Sequence, residues 1–474
     1  MNSNKLQKDY YEQLMGSDWP EYNDYLNDTF ITNQSIKQEI EDLEKIRGVG
    51  KNFNDDEIYK LTKSKVFCML PWLHLSSNPD GSTLPCCYAD YKYPVGNARI
   101  NTFKEIWNQE PYKLIRKNML QDKPCKECTT CYEAEKNGFF SKREQSNKWF
   151  GHHIKEVNDT NNDGSTNNFK IRYLDIRFSN LCNFRCRTCG PGFSSNWYHD
   201  YIKLYNKIPK SKTRPDEDLP MINFSIDDED LLFDQIETHI PYLEEIYFAG
   251  GEPLIMKEHY RLLEKLIKCN KKNIRLVYNT NFSELHYKDK HVFDYWKEFS
   301  NIRVGASLDA SGKKAEYIRK GTEWTQVLEN RRLMLKETPH VEFWVTSTIS
   351  AMNVLHILDF HKQIVEEHLI PEPGKMTWNI CLWPEYYRPN IFNKDFKNKV
   401  IIPQYEKHIE WLAPLDSHGE CTDRFVSLLN FIKTDSDATL YKRFLNEVNK
   451  LDEIRDENFW KVFPEFNSLN NNGL

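Results

Sequence analysis

Three cysteines, Cys182, Cys186 and Cys189, fall within Leu181–Gly190 at the spacing C-x3-C-x2-C. Thiolates so spaced suit a cuboidal [4Fe–4S] cluster. Such a cluster takes four ligands, so three local ones leave one iron open, and an open metal position is where a substrate or cofactor binds. A zinc site would instead ask for four closed ligands, often from paired C-x2-C units. A second group lies upstream: Cys68, then Cys86 and Cys87, then Cys125, Cys128 and Cys131. One cluster held by Cys68, Cys86, Cys128 and Cys131 is the simplest count, with Cys87 and Cys125 in reserve. The same four thiolates also suit zinc, and ligand chemistry alone leaves both metals open.

Downstream polar residues could hold a small charged ligand. Gly250-Gly251-Glu252-Pro253 pairs two glycines, which permit close backbone approach, with a carboxylate that can accept from an ammonium. Ser307 and Asp309 suit ribose hydroxyls, and the Arg319 guanidinium suits a carboxylate. The Asn279 amide and the small side chain of Thr348 are further candidates for the site wall. Each has a plainer reading: a turn for GGEP and Asn279, a surface ion pair for Arg319. His74 reads as a satisfied core histidine.

The triad followed by GGEP resembles the radical SAM superfamily. That resemblance implies S-adenosylmethionine on the open iron through its amino and carboxylate groups, with residues 250–253 holding the amino group. It implies one-electron cleavage to a 5′-deoxyadenosyl radical that abstracts hydrogen from substrate. Thr188 departs from the pattern, standing where the family usually has an aromatic, at an adenine contact. From Cys68 the pattern C-x12-G-x4-C, followed by a distant CxxC, resembles the SPASM/twitch auxiliary iron–sulfur module. In relatives that module usually follows the catalytic domain, whereas here it precedes it.

These residues need a scaffold that gathers them. Six strand-like segments, near 171–178, 243–248, 274–278, 302–308, 341–349 and 375–382, alternate with helical ones. That alternation predicts an α/β fold with parallel strands, and the resemblance makes it a partial (β/α)6 barrel. Each polar motif lies at a strand's carboxyl end, where parallel α/β folds place their chemistry. The expected organisation is an N-terminal helical extension (1–64), the cysteine-rich module (65–135), a linker (136–168), the barrel (169–390) and a helical tail (391–474). Helical spacing of Ile36, Ile40, Leu43 and Ile46 places a helix in the extension. Within the module, Asn78-Pro79-Asp80-Gly81 predicts a turn, with Cys68 and Cys86 on the arms of a hairpin.

The 474 residues suffice for two or three domains, and a net charge of −6 gives no reason to expect nucleic acid. No long uncharged apolar run and no N-terminal apolar signal is read, so a cytoplasmic protein that does not enter membranes is expected, its twelve cysteines serving metal rather than disulfides. The resemblance implies an electron donor such as flavodoxin or ferredoxin. For substrate it implies first a ribosomal peptide (oxidation, cross-link or epimerisation), then a small metabolite such as a sugar. A non-catalytic iron–sulfur electron carrier is the alternative of another class, though such a protein has no use for the GGEP carboxylate.

Overall fold

The computed structural model describes residues 53–136, 140–211, 216–417 and 419–470. The helix expected at residues 36–46 lies outside them. Nine strands form one sheet: β1 His74–Ser77, β2 Ser82–Leu84, β3 Gly96–Asn97, β4 Tyr173–Ile176, β5 Glu245–Phe248, β6 Arg275–Thr280, β7 Asn301–Ser307, β8 Glu342–Ile349 and β9 Met376–Ile380. Their spatial order is β9-β8-β7-β6-β5-β4-β1-β2-β3. Strands β4 to β9 run parallel in chain order, as the sequence predicts for a partial (β/α)6 barrel.

Parallel neighbours need long crossovers, and these are helical. Lys257–Lys268 buries His259, Leu262, Leu263 and Leu266, one stripe at helical spacing, between β5 and β6. Glu229–Glu237 is capped by Asp228, whose side chain accepts from the Asp230 and Leu231 amides. Trp324–Glu337 crosses from β7 to β8.

One pairing could not be read from the sequence. Strand β1, from the cysteine-rich module, lies parallel to β4, with His74 opposite Tyr173 and Ser77 opposite Ile176. The module therefore extends the barrel sheet by a seventh parallel strand. The predicted hairpin follows: β2 returns antiparallel to β1, Ser76 opposite Leu84, and β3 adds beyond it. His74 is fully buried, its ring stacked on Tyr173 and its Nδ1 2.8 Å from the Tyr173 carbonyl, a neutral core histidine.

The stretch after the module is helical, Lys142–Phe150 running into a 3-10 segment, Gly151–Asp159. Ser141 and Glu144 form a capping box that starts it. The tail supplies helices Ile402–Leu412, Glu420–Lys433 and Thr439–Arg455. No helix among the described residues is long and apolar enough to cross a membrane.

Candidate active site and auxiliary metal centre

The cysteine triad occupies the loop that leaves β4, and neighbouring segments hold it by main-chain bonds. The Glu252 amide donates to the Leu181 carbonyl at 2.8 Å, the Arg185 amide to Lys320 at 2.9 Å and the Arg187 amide to Ile318 at 2.8 Å. The Cys182 amide donates to Ser195 Oγ at 3.2 Å. Thus the triad, GGEP and the segment carrying Arg319 meet at the carboxyl ends of the strands. The tail clasps the same loop from behind. Arg187, with its side chain fully buried, pairs with Asp452 at 2.5 Å and Glu457 at 2.6 Å. Arg455 pairs with Asp200 at 2.9 Å and donates to the Arg185 carbonyl.

GGEP shows why its glycines are glycines. Gly250 and Gly251 have φ of +79° and +55°. A Cβ on Gly251 would stand 2.3 Å from the Leu181 carbonyl oxygen, and one on Gly250 would stand 2.5 Å from Arg177 Cβ. Gly251→Ala is therefore expected to cost at least about 1–3 kcal/mol of stability from backbone conformation alone. Denaturant titration should show that loss together with weaker retention of iron. Pro253 opens the 3-10 turn Pro253–Ile255 that follows.

Glu252 is buried beneath these glycines. Its carboxylate accepts from Thr280 Oγ1 (2.7 Å) and from the Asn281 (2.7 Å) and Leu254 (3.1 Å) amides. Burial outweighs these bonds and pushes its pKa up to about 7. The folded state thus holds this proton more tightly than the unfolded one. The resulting stability is full below the ordinary carboxylate value and is lost as pH rises through about 7. Acceptance from a cofactor amino group runs the other way, since it needs the ionised form. Affinity for S-adenosylmethionine is expected to tighten on the order of tenfold from pH 5.5 to 7.5. Equilibrium dialysis against cluster-loaded protein measures this, and Glu252→Gln should flatten the profile.

Arg319 reaches both the triad and a strand end. Its Nη1 donates to Cys186 Sγ at 3.7 Å, its Nη2 donates to Asp309 Oδ1 at 3.0 Å, and its Nε stands 2.8 Å from Asp309 Oδ2. Asp309 also accepts from the Thr348 amide at 2.7 Å, which ties the ends of β7 and β8 together. The plain surface ion pair is thereby replaced by a buried one aimed at the cluster loop. Ser307 closes β7 opposite Thr346. Asn279 sits deeper, donating to the Tyr247 hydroxyl at 2.6 Å.

Burial pushes the Cys182 and Cys186 thiols up, and Cys189 to about 12. Ionised sulfur at this place therefore needs a cation, as metal-coupled deprotonation supplies.

In the upstream group Cys68, Cys86 and Cys131 are buried and Cys128 is half-buried. Cys68 and Cys86 each feel the charges of both Cys128 and Cys131, so the four expected ligands share one neighbourhood. Of the two reserves, Cys125 also hydrogen-bonds with Cys128. Cys125 Sγ lies 3.7 Å from the Ile115 carbonyl, and Cys87 hydrogen-bonds to Asp175 inside the barrel.

Sulfur spacing bears on the metal. A tetrahedral zinc ion with Zn–S bonds near 2.3 Å brings its thiolates to about 3.8 Å from one another. The one set of three or more His, Cys, Asp or Glu side chains among the described residues with all ligand atoms within 4.8 Å contains no cysteine. Among the described residues, neither thiol group brings three sulfurs within 4.8 Å of one another.

Sequence reasoning missed a buried polar group where the module's β1 meets β4. Asp175 on β4 is fully buried, accepts from Ser76 Oγ at 2.9 Å and from Cys87, and stands 3.8 Å from Arg177 Nε. Arg177 in turn donates to the Tyr91 hydroxyl at 2.7 Å and to Asn78 at 3.1 Å. Burial raises the Asp175 pKa, against the pull of Arg177. The signal was present: Asp175 and Arg177 alternate with apolar Leu174, Ile176 and Phe178, so one face of this strand is polar.

The family model described as the radical SAM superfamily matches residues 176–356, and that of the SPASM iron–sulfur cluster-binding domain matches residues 68–132. A curated protein of Aliarcobacter butzleri (strain RM4018), named GTP 3′,8-cyclase, is 27% identical over 201 residues, 41% of this chain and 52% of that protein. One of the same name from Peptoclostridium acidaminophilum is 29% identical over 163 residues, 34% of this chain and 41% of that protein. The chain thus spans about half the length of the curated relatives it matches. The solved structure described as "Native anSMEcpe with bound AdoMet" aligns at a TM-score of 0.33 and 18% identity, over 51% of this chain and 59% of that one.

Proposed function

The chain belongs to the radical SAM superfamily and carries its SPASM module before the barrel, and from that premise we propose that it modifies a peptide by hydrogen abstraction. The two family matches imply a [4Fe–4S] cluster that binds S-adenosylmethionine and an auxiliary iron–sulfur cluster. The chemistry supplied by the first, when bound, is one-electron cleavage of the cofactor to a radical that takes hydrogen from carbon.

The chain's own residues supply the rest. Cys182, Cys186 and Cys189 hold the cluster and leave one iron for the cofactor. Glu252 accepts from the cofactor amino group, and Gly250 and Gly251 let the backbone approach it. Arg319, aimed by Asp309, pairs with the cofactor carboxylate. Ser307, Asn279 and Thr348 line the nucleoside side. Cys68, Cys86, Cys128 and Cys131 hold the auxiliary cluster.

The observation that carries the peptide reading is the rim of the barrel. Trp383 is 66% exposed, with Leu382, Tyr88 and Tyr91 exposed as well. Tyr88 of the module reaches Asn379 of β9 at 3.2 Å, and Lys92 stands over the Trp383 ring. A small metabolite is enclosed by its pocket, whereas exposed aromatic anchors suit a chain that continues beyond it. The small-molecule reading has one point in its favour, the name of the two curated relatives, and it would make a nucleoside triphosphate the substrate.

Reduced, reconstituted protein given S-adenosylmethionine separates the two. Short peptides encoded beside its gene should raise deoxyadenosine formation and change in mass, and Trp383→Ala should raise KM for them. Stimulation by GTP with consumption of GTP, and none by peptide, would overturn the reading.

A further inference from the structure

At the amino-terminal edge of the barrel, a carboxylate receives two imidazoles. Glu244, the residue before β5, lies with Oε1 2.5 Å from His153 Nε2 and Oε2 3.2 Å from His152 Nε2. The histidines are consecutive on the 3-10 segment Gly151–Asp159, with ring centroids 3.9 Å apart. All three side chains are largely buried, at 14–22% exposure. Theirs are the ligand atoms, among the described residues, that lie within 4.8 Å of one another. We propose that His152, His153 and Glu244 bind one divalent transition-metal ion of the zinc class, which staples the segment leaving the cysteine-rich module to the barrel.

The donor set fits that class: two imidazole nitrogens and a carboxylate oxygen, with a position left for water. Tetrahedral bonds of 2.0–2.2 Å put neighbouring ligand atoms about 3.3 Å apart. His152 and Glu244 already stand at 3.2 Å, and His153 needs to open by less than about 1 Å.

A surrounding shell exists as well. Glu156 Oε1 faces His153 Nδ1 at 3.6 Å, the arrangement that turns Nε2 toward a metal. Glu156 is itself held by Arg172 and by Asn168 Nδ2 at 2.9 Å. Arg172 is the competing cation, 3.6 Å from Glu244 Oε1. It offsets one of the two carboxylates, Glu156 and Glu244.

Position argues for a structural role. Glu244 precedes β5 and Arg172 precedes β4, so the group sits at the end of the sheet opposite the cysteine triad. It closes a loop of chain between 153 and 244, where a metal clip gains stability by restricting the unfolded state.

The test uses full-length protein with its iron–sulfur clusters loaded, so that the cluster thiols do not capture added metal. After incubation with zinc chloride and desalting, elemental analysis should find about one zinc per chain in the parent, with iron unchanged. Zinc should raise its melting temperature. His152→Ala with His153→Ala should abolish both effects, and Glu244→Gln should weaken zinc binding tenfold or more. Parent-like iron content and deoxyadenosine formation show that a variant is folded. No zinc in the parent, or equal zinc in the double-histidine variant, overturns the proposal. Should the histidine variant fail to load iron, Glu244→Gln decides: unchanged zinc affinity there overturns it equally.

Discussion

Replacing Cys182, Cys186 and Cys189 together by alanine is expected to abolish cleavage of S-adenosylmethionine and to lower iron from about eight to about four per chain. The expectation rests on what holds the triad loop. Its anchors are the main-chain bonds from Glu252, Arg185 and Arg187 and the buried pairs of Arg187 with Asp452 and Glu457. None of them uses a thiol. The cysteines are only half-buried, so truncation leaves little cavity. The variant therefore loses metal ligands and keeps its loop. Anaerobic reconstitution, iron and sulfide assay, and chromatography of deoxyadenosine under dithionite measure the outcome. Cleavage at the parent's rate would remove the radical assignment. Loss of all iron would show that the two centres do not load independently.

The site was legible in the sequence where chemistry demands residue types at fixed spacing. Cys182, Cys186 and Cys189 needed no partner from elsewhere to be read, and the glycines of 250–251 stand where a side chain would strike Leu181 and Arg177. The six barrel strands were legible too, because β-runs alternating with amphipathic helices admit few arrangements. What the sequence concealed is non-local. The parallel pairing of β1 with β4 joins residues 99 apart, and no local pattern announces it. The partners of Arg187 and Arg455 lie far away in sequence, so the clasp of the tail on the triad loop appears only when the chain is folded. Asp175 escaped for another reason. A carboxylate in a short strand reads as a solvent-facing residue, and only the pairing of β1 with β4 covers it, setting it opposite Ser76 and beside Cys87. Lys142–Phe150, highly charged, read as part of a linker, yet Arg143 is buried, pairing with Glu135 at 2.6 Å and donating to the Ser64 and Phe67 carbonyls.

Cys128→Ala with Cys131→Ala is expected to eliminate turnover of the true substrate while deoxyadenosine still forms without it. Cys128 ends the turn Lys126–Cys128, and Cys131 lies on the helix Thr129–Lys136. Their electrostatic partners include Cys68 and Cys86 and none of the triad. Glu252 and Arg319, by contrast, belong to the triad's own surroundings, and nothing in the pair of substitutions touches them. Cofactor binding and its cleavage are thus expected to continue at a rate comparable to the parent's. What is lost is the second centre. Iron should fall from about eight to about four per chain, as in the triad variant, but with the opposite half of the chemistry retained. The measurement is deoxyadenosine and modified product from the same reaction. Retained product with four irons lost would make the auxiliary centre structural. Complete loss of cleavage in a folded variant with four irons would mean that the first electron passes through the auxiliary centre before it reaches the cofactor.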